Sequence, residues 1–500
     1  MTTFLYLCAK NNESNMEQEL VGREVELEDL NKYLNSERSE FIAVYGRRRV
    51  GKTFLIRKAV KDHFAFFMTG MHGVGKNEQL VNFSIALQKY THSATLQTFK
   101  SWLLAFYGLE QYLESLPHGK KVIFIDELPW MDTAKSGFIP ALENFWNSWA
   151  VLRNEIKLIV CGSATSWMIN NLIRNRGGLH NRLTHHLVLK PFTLHECEEY
   201  FQTYHFGYSR KQIAECYMVM GGIPYYLSMM DKSKSLAQNI DQLFFAENAE
   251  LKGEFDELYR ALFKKSTDHI AVVTTLANKG IGMTRQELVK SSGLTDNGAF
   301  STVLEELEQC GFIRLYEPFS TSTRMSGDSR QKRNTLFQLI DFYTLFYFKF
   351  IKHNKYQDSH FWSSSQNTPM HHTWIGLSFE MLCLNHIESI KQSLGISGVQ
   401  TIVCSWRSNK TEKGAQIDLL IDRKDETINL CEIKFYNGPF EISKEYEEKL
   451  QNKISTFLEE TKTKKSLILT FITSFGIKEN KHSDIVQKQI TMDDLFAQKI

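Results

Sequence analysis

The sequence predicts an α/β protein with a parallel-sheet domain covered by helices, then a helical lid, a helix-turn-helix with a wing, and a second α/β domain at the C-terminus. Three observations predict it. Helical patterns alternate with short apolar runs at Phe41 to Tyr45, Val122 to Ile125 and Leu158 to Cys161, as expected for a parallel sheet between helices. A glycine-bounded loop at 46–53 follows the first run and opens a helix. A second alternation fills the tail, with strand-like segments at 399–406, 415–422, 427–435 and 466–472 and a charged helix at 442–462.

The chain has 500 residues, room for roughly three domains of about 150 each. Lys+Arg 59 against Asp+Glu 57 leaves a net charge of +2, so a nucleic-acid surface would have to come from local clustering. Eight cysteines are scattered without a C-x-x-C pair, which predicts reduced, mostly buried thiols in a cytoplasm and signals neither a zinc site nor a disulfide framework. No apolar run approaches the roughly 20 residues needed to cross a bilayer, so no membrane partner is expected.

Along the chain, residues 1–16 read as a disordered extension and 17–192 as the parallel-sheet domain. Residues 193–260 are helical, rich in aromatics and Met, and broken at Gly221-Gly222-Ile223-Pro224. Residues 261–350 read as a winged helix. Thr284 is the N-cap of one helix, Gly293-Leu294-Thr295 a turn, and Ala299 to Cys310 a second helix with Val303, Leu304 and Leu307 on its apolar stripe. Arg324, Arg330, Lys332 and Arg333 fall in the expected wing, where they would touch phosphates. Residues 351–370, with Ser363-Ser364-Ser365 and Pro369, read as a linker. Residues 371–500 form the last domain, starting with a helix that puts Trp374, Leu377, Met381 and Leu384 on one face.

The loop Gly46-Arg47-Arg48-Arg49-Val50-Gly51-Lys52-Thr53 has the strand-to-helix setting of a phosphate-binding loop. Its glycines let backbone N–H groups wrap a β-phosphate, Lys52 reaches the β/γ oxygens, and the Thr53 hydroxyl ligates Mg²⁺. The strand Val122 to Ile125 ends in Asp126 and Glu127, costly beside a core unless they serve a cation or water. Asp126 is expected to hold Mg²⁺ through water, and Glu127 to orient or deprotonate the attacking water. Ser163 ends the next strand, where it would touch the γ-phosphate or the water. Arg174, Arg176 and Arg182 are candidates for an arginine finger.

Together with these, Val21-Gly22-Arg23-Glu24, the arginine-rich loop, Ile125-Asp126-Glu127-Leu128-Pro129-Trp130 and Gly221 to Leu227 resemble the archaeal-type ATPase family, a STAND-like branch of the AAA+ P-loop proteins. The resemblance implies that Gly22-Arg23-Glu24 lies near the base and ribose of ATP, and that the Gly221 turn sits in a lid that senses the nucleotide. At 178–183 the family usually has a tyrosine, a glycine and two adjacent arginines, of which Arg182 alone of the arginines remains.

Members of that family commonly end in a restriction-nuclease-like domain, and the tail can be read for one. Asp418 lies in one strand and Glu432-Ile433-Lys434 in the next, with Glu432 and Lys434 on one face by the two-residue period. Glu380 on the preceding helix adds a carboxylate. The set resembles the PD-(D/E)xK nuclease superfamily, in which Asp418, Glu432 and Glu380 would bind Mg²⁺ and Lys434 would position a water. An E-x-K string alone carries little weight, since about two are expected by chance in this length, and Glu155-Ile156-Lys157, Glu250-Leu251-Lys252 and Glu447-Glu448-Lys449 also occur.

The sequence thus leads to two expectations. One is an ATP-hydrolysing P-loop protein that controls a metal-dependent DNA nuclease domain. The other is a non-cleaving STAND-type ATP switch that oligomerises and docks on DNA or a protein.

Overall fold

The computed structural model describes residues 19–174, 177–179, 181–263, 265–279, 282–319, 335–354, 357–408 and 414–498. The N-terminal extension, Arg176 and the four wing residues Arg324, Arg330, Lys332 and Arg333 lie outside the described residues.

Five parallel strands make the first sheet: β1 (Glu40–Tyr45), β2 (Phe66–Thr69), β3 (Lys121–Asp126), β4 (Ile156–Gly162) and β5 (His185–Val188), in the order β2-β3-β4-β1-β5. Because all run the same way, the chain leaves β1, β3 and β4 at one edge of the sheet, which brings residues 46–53, 126–127 and 163 together. β1, β3 and β4 are buried throughout. Leu30, Leu55 and Ile56 cover one face, and Trp102, Phe106, Phe138 and Trp146 the other. Strands β2 and β5 escape the sequence reading because each spans four residues at a sheet edge, and β5 begins with two histidines.

The helices that follow start on capping boxes, Thr193 with Glu196 and Ser209 with Gln212. The helix Arg210–Met220 ends at Gly221, whose φ of 68° lies in the left-handed region that favours glycine. Next come the helices Ser266–Lys279, Arg285–Ser292 and Gly298–Gln309, with the short antiparallel strands β6 (Met283–Thr284), β7 (Ile313–Tyr316) and β8 (Leu336–Leu339) in the order β6-β8-β7. Thr284 caps its helix as expected.

The stretch 351–370 is not a free linker. Phe361–Ser365 is helical, and Trp362 is buried between Phe350 and Trp374. Asp241 accepts from the Trp362 N–H at 2.9 Å, which fastens the segment to the chain just after the helix Leu236–Ile240.

The C-terminal domain opens with the helix Pro369–Asn385, in which Trp374, Phe379 and Leu382 are buried while Leu377 is exposed, against the expected stripe. Its sheet holds β9 (Thr401–Arg407), β10 (Gln416–Arg423), β11 (Thr427–Lys434), β13 (Ser466–Thr473) and β15 (Lys488–Thr491), in the order β15-β13-β11-β10-β9; β12 (Phe440–Glu441) and β14 (Ile477–Lys478) pair separately. β9 to β11 are antiparallel, and β13 and β15 add in parallel. The helix Lys444–Thr461 crosses between β11 and β13. Among the described residues no helix is long and apolar enough to cross a membrane.

Candidate nucleotide site and C-terminal acidic cluster

Two glycines shape the loop 46–53. A Cβ on Gly46 would stand 2.1 Å from the Leu189 carbonyl oxygen, so the loop lies against the end of β5 only without a side chain there. Gly51 takes φ 91° at the N-cap of the helix Lys52–Val60. Lys52 is buried, and its Nζ donates to the carbonyl oxygens of Gly46 at 3.0 Å and Arg47 at 2.9 Å, bridging the loop.

At the next strand end, Thr53 Oγ1 donates to Asp126 Oδ2 at 3.0 Å, and the Glu127 N–H donates to Asp126 Oδ1 at 3.0 Å. Glu127 holds a left-handed backbone, φ 47°, a conformation that costs energy in a non-glycine residue and is found preferentially at functional sites. Its Oε2 accepts from the Ser163 N–H at 3.1 Å and the Ser163 hydroxyl at 2.9 Å. Burial pushes the Glu127 carboxyl above the ordinary carboxylate range, and Lys52 pulls against that. The structure therefore brings Lys52, Thr53, Asp126, Glu127 and Ser163 together, with Ser163 holding the glutamate.

The arginines of the loop do something else. Arg47, buried, pairs with Asp341 at the start of the helix Phe342–Phe346, and its guanidinium lies 5.0 Å from the Phe312 ring centroid. Burial opposes its charge, but Asp341 more than restores it and holds the pKa above its ordinary value. Arg49 pairs with Glu254 at 2.5 Å and lies over Tyr225, whose N–H donates to the Arg49 carbonyl. Arg47 and Arg49, members of the expected phosphate loop, thus have their side chains engaged by residues far along the chain. Arg48, half-buried, has no hydrogen bond or ion pair among the described residues.

Arg23 is likewise drawn into the fold. Its Nη2 donates to the Lys190 carbonyl at 2.6 Å, its Nη1 lies 3.5 Å from Glu196, and the guanidinium stacks on Phe192. Gly22 precedes it with φ 64° and no room for a side chain against Glu196. Arg182 is exposed on a turn, and Arg174 pairs with Glu305 at 3.5 Å. Sequence reasoning missed Asp341 and Glu254, which lie 294 and 205 residues from their partners, beyond any local pattern.

In the C-terminal domain, Asp418 sits where the β9–β10 ladder shifts register between Ile417 and Leu420, a bulge of the kind that re-aims side chains. Gln416 Nε2 donates to Asp418 Oδ1 at 2.6 Å. Glu432 Oε1 lies 2.9 Å from Lys434 Nζ and accepts from the Tyr446 hydroxyl at 2.6 Å, while Oε2 accepts from Lys453 Nζ at 2.6 Å. Burial works against the Glu432 charge, but the two lysines hold its pKa below the ordinary value. Glu380 is pushed up to about 8 by burial and by Asp418, with Lys434 opposing. These mutual influences place Glu380, Asp418, Glu432, Lys434 and Lys453 in one cluster. Among the described residues, however, no group of three His, Cys, Asp or Glu side chains is arranged to hold a metal ion. The expected ligand set Glu380, Asp418 and Glu432 does not fit one, because both Glu432 oxygens already face ammonium groups. Tyr446 and Lys453 were missed, though their spacing of seven puts them on one helix face.

Residues 20–230 match the model of a family described as an ATPase domain predominantly from Archaea. An uncharacterised protein of Methanocaldococcus jannaschii is 27% identical over 336 residues, 66% of this chain and 68% of the relative. Among solved structures, a Walker-type ATPase of Pyrococcus abyssi is similar at 17% identity, covering 67% of this chain and 97% of its own, with a TM-score of 0.47. The ORC2 protein of Aeropyrum pernix is similar at 15% identity, covering 74% and 96%, with a TM-score of 0.38. The family match over residues 20–230 takes in the loop 46–53 and the strand end at Asp126 and Glu127.

Proposed function

We propose that this chain is an ATP-driven switch: a P-loop engine that binds and hydrolyses ATP and passes its state through the lid to the C-terminal domain. The observation that carries it is the meeting of Lys52, Thr53, Asp126 and Glu127 at one edge of a parallel sheet. Backbone N–H groups of 46–53 would bind the phosphates, and Lys52 would exchange its carbonyl partners for phosphate oxygens. The half-buried Thr53 hydroxyl and the buried Asp126 carboxylate, 3.0 Å apart, suit a hard, oxygen-seeking cation. They are the residues that would hold Mg²⁺, which when bound neutralises charge between the phosphates. Glu127, held by Ser163 and raised in basicity by burial, would orient the attacking water and accept its proton.

Contacts that could relay the state run from the loop outward. Arg49 links to Glu254, Tyr225 and Tyr226, and Arg47 to Asp341. From the lid, the Leu194 N–H donates to His386 Nε2 at 3.0 Å, and Tyr217 packs on the same ring, just beyond the helix that carries Glu380. The order helix, three antiparallel strands, helix, strand supports a restriction-endonuclease-like reading of that last domain, and the helices and strands of 266–339 support a winged helix. DNA is the proposed partner of both. Between cleavage and docking, the lysine-bound Glu432 favours docking, and no cleavage step is assigned to the domain.

Calorimetric titration of ATP and Mg²⁺ tests the engine. Lys52→Ala should weaken binding about 10- to 150-fold, the loss of a charge-assisted hydrogen bond of roughly 1.5–3 kcal/mol. Hydrogen exchange in 369–385 should change on adding ATP to the wild type and not to the variant. Equal affinity of the two proteins would overturn the phosphate site, and unchanged exchange would overturn the relay.

A further inference from the structure

The C-terminal cluster pairs its central carboxylate with a lysine that the strand pattern does not supply. Lys453 lies on the helix Lys444–Thr461, which is capped by the Ser443 hydroxyl accepting from the Tyr446 N–H at 3.2 Å. Tyr446 and Lys453 are seven residues apart, close to two full turns, so both reach the same neighbour. That neighbour is Glu432, whose side chain is 9% exposed. Oε1 meets Lys434 and the Tyr446 hydroxyl, and Oε2 meets Lys453. A divalent ion bound to either oxygen would stand next to a fixed ammonium charge, which the low-dielectric setting makes strongly unfavourable.

We infer that the Lys453 ammonium takes the place a divalent cation would occupy against Glu432, so that this acidic cluster is closed to metal by the chain's own side chain. Lys453 differs from Lys434 in how it is held. Lys434 stands two residues from Glu432 on the same strand face and follows it wherever β11 goes. Lys453 arrives from a separate helix and faces the other oxygen, so it is the residue whose removal frees a coordination position while the strand stays intact. Asp418, close by on the bulged strand and hydrogen-bonded to Gln416, is the second carboxylate such a position would use. The inference deepens the docking reading of this domain and rests on it; it is independent of the ATP site.

The test is Mn²⁺ binding to the full chain without nucleotide, followed by electron paramagnetic resonance of free Mn²⁺. Lys453→Met should bind one Mn²⁺ at least about tenfold more tightly than the wild type, a difference of about 1.4 kcal/mol. Adding Asp418→Asn should abolish the gained site, and Lys453→Arg, which keeps the charge, should behave as the wild type. If Lys453→Met fails to fold, Lys453→Gln, which retains a hydrogen-bond donor, carries the same expectation. Equal Mn²⁺ affinity of the wild type and the neutral variant would overturn the inference, as would a gained site that survives Asp418→Asn. A parallel DNA-cleavage assay on the wild type separates the two readings: cleavage without Mn²⁺ binding at the cluster overturns docking and leaves the lysine's role standing.

Discussion

Two strand ends in this chain carry a carboxylate beside a lysine, and they are built in opposite ways. At β3, Lys52 is bonded to backbone carbonyls and acts on Glu127 without a direct bond, while Asp126 and Glu127 accept hydrogen bonds from neutral donors, among them the hydroxyls of Thr53 and Ser163 and two backbone N–H groups. At β11, Glu432 meets two ammonium groups and a phenol. In the first, burial outweighs the pull of Lys52 and raises the pKa of Glu127; in the second, two paired lysines outweigh burial and lower the pKa of Glu432. A carboxylate held by neutral donors is available to a cation or a proton, whereas one held by lysines is a structural tie. The same residue types therefore stand unpaired by lysine at one strand end and paired with two lysines at the other.

That contrast can be broken by removing each charge in turn. Glu127→Gln should lower ATP turnover by roughly 10²–10⁴-fold, the usual contribution of a general base, with ATP affinity retained. Its melting temperature should stay level or rise, because the neutral amide removes a charge that its surroundings disfavour. Steady-state hydrolysis and thermal unfolding read the two effects, and a turnover within about threefold of the wild type would remove Glu127 from the mechanism. Glu432→Gln should do the reverse, leaving ATP turnover unchanged while costing about 1–3 kcal/mol of stability. This is less than the ~3–5 kcal/mol for a fully buried pair, since the lysine side chains are 35% and 29% exposed. Urea unfolding followed in the C-terminal domain measures it, and a neutral effect would dissolve the comparison.

The smallest effect concerns Glu380. Its folded pKa of about 8 lies above the ordinary value of 4.5, so between those limits the folded chain holds a proton that the unfolded chain has released. The stability tied to that proton is complete below about pH 4.5 and is lost as pH rises towards 8. Glu380→Gln should match the wild type near pH 5 and melt a few degrees higher at pH 8.5. A pH-independent difference would show that the carboxyl is not the group responsible.

How much of this was legible beforehand depended on the range of the interaction. The loop 46–53, the Asp126-Glu127 strand end, the Thr284 cap and the order of the C-terminal strands are local patterns, and the structure has each where the pattern places it. Arg47, Arg48 and Arg49 read as part of the phosphate-binding loop, and the side chains of Arg47 and Arg49 answer to acids more than 200 residues away. The run at 351–370 read as a linker because serines dominate it, and a single buried tryptophan reversed that. Glu380, Asp418 and Glu432 read as a metal site because carboxylate identity is visible in a string of letters.

Lys434 beside Glu432 is visible there through the two-residue period, but Lys453, which arrives from a separate helix, is not. Backbone hydrogen bonding and side-chain period are properties of neighbouring residues, so the order of strands, helices and phosphate loop could be read from the chain alone. The sign of the charge facing each acid depends on which helix face folding lays against which strand, a long-range choice made by burial of apolar surface. That choice put Ser163 against Glu127 and Lys453 against Glu432, and with it set the two strand ends apart.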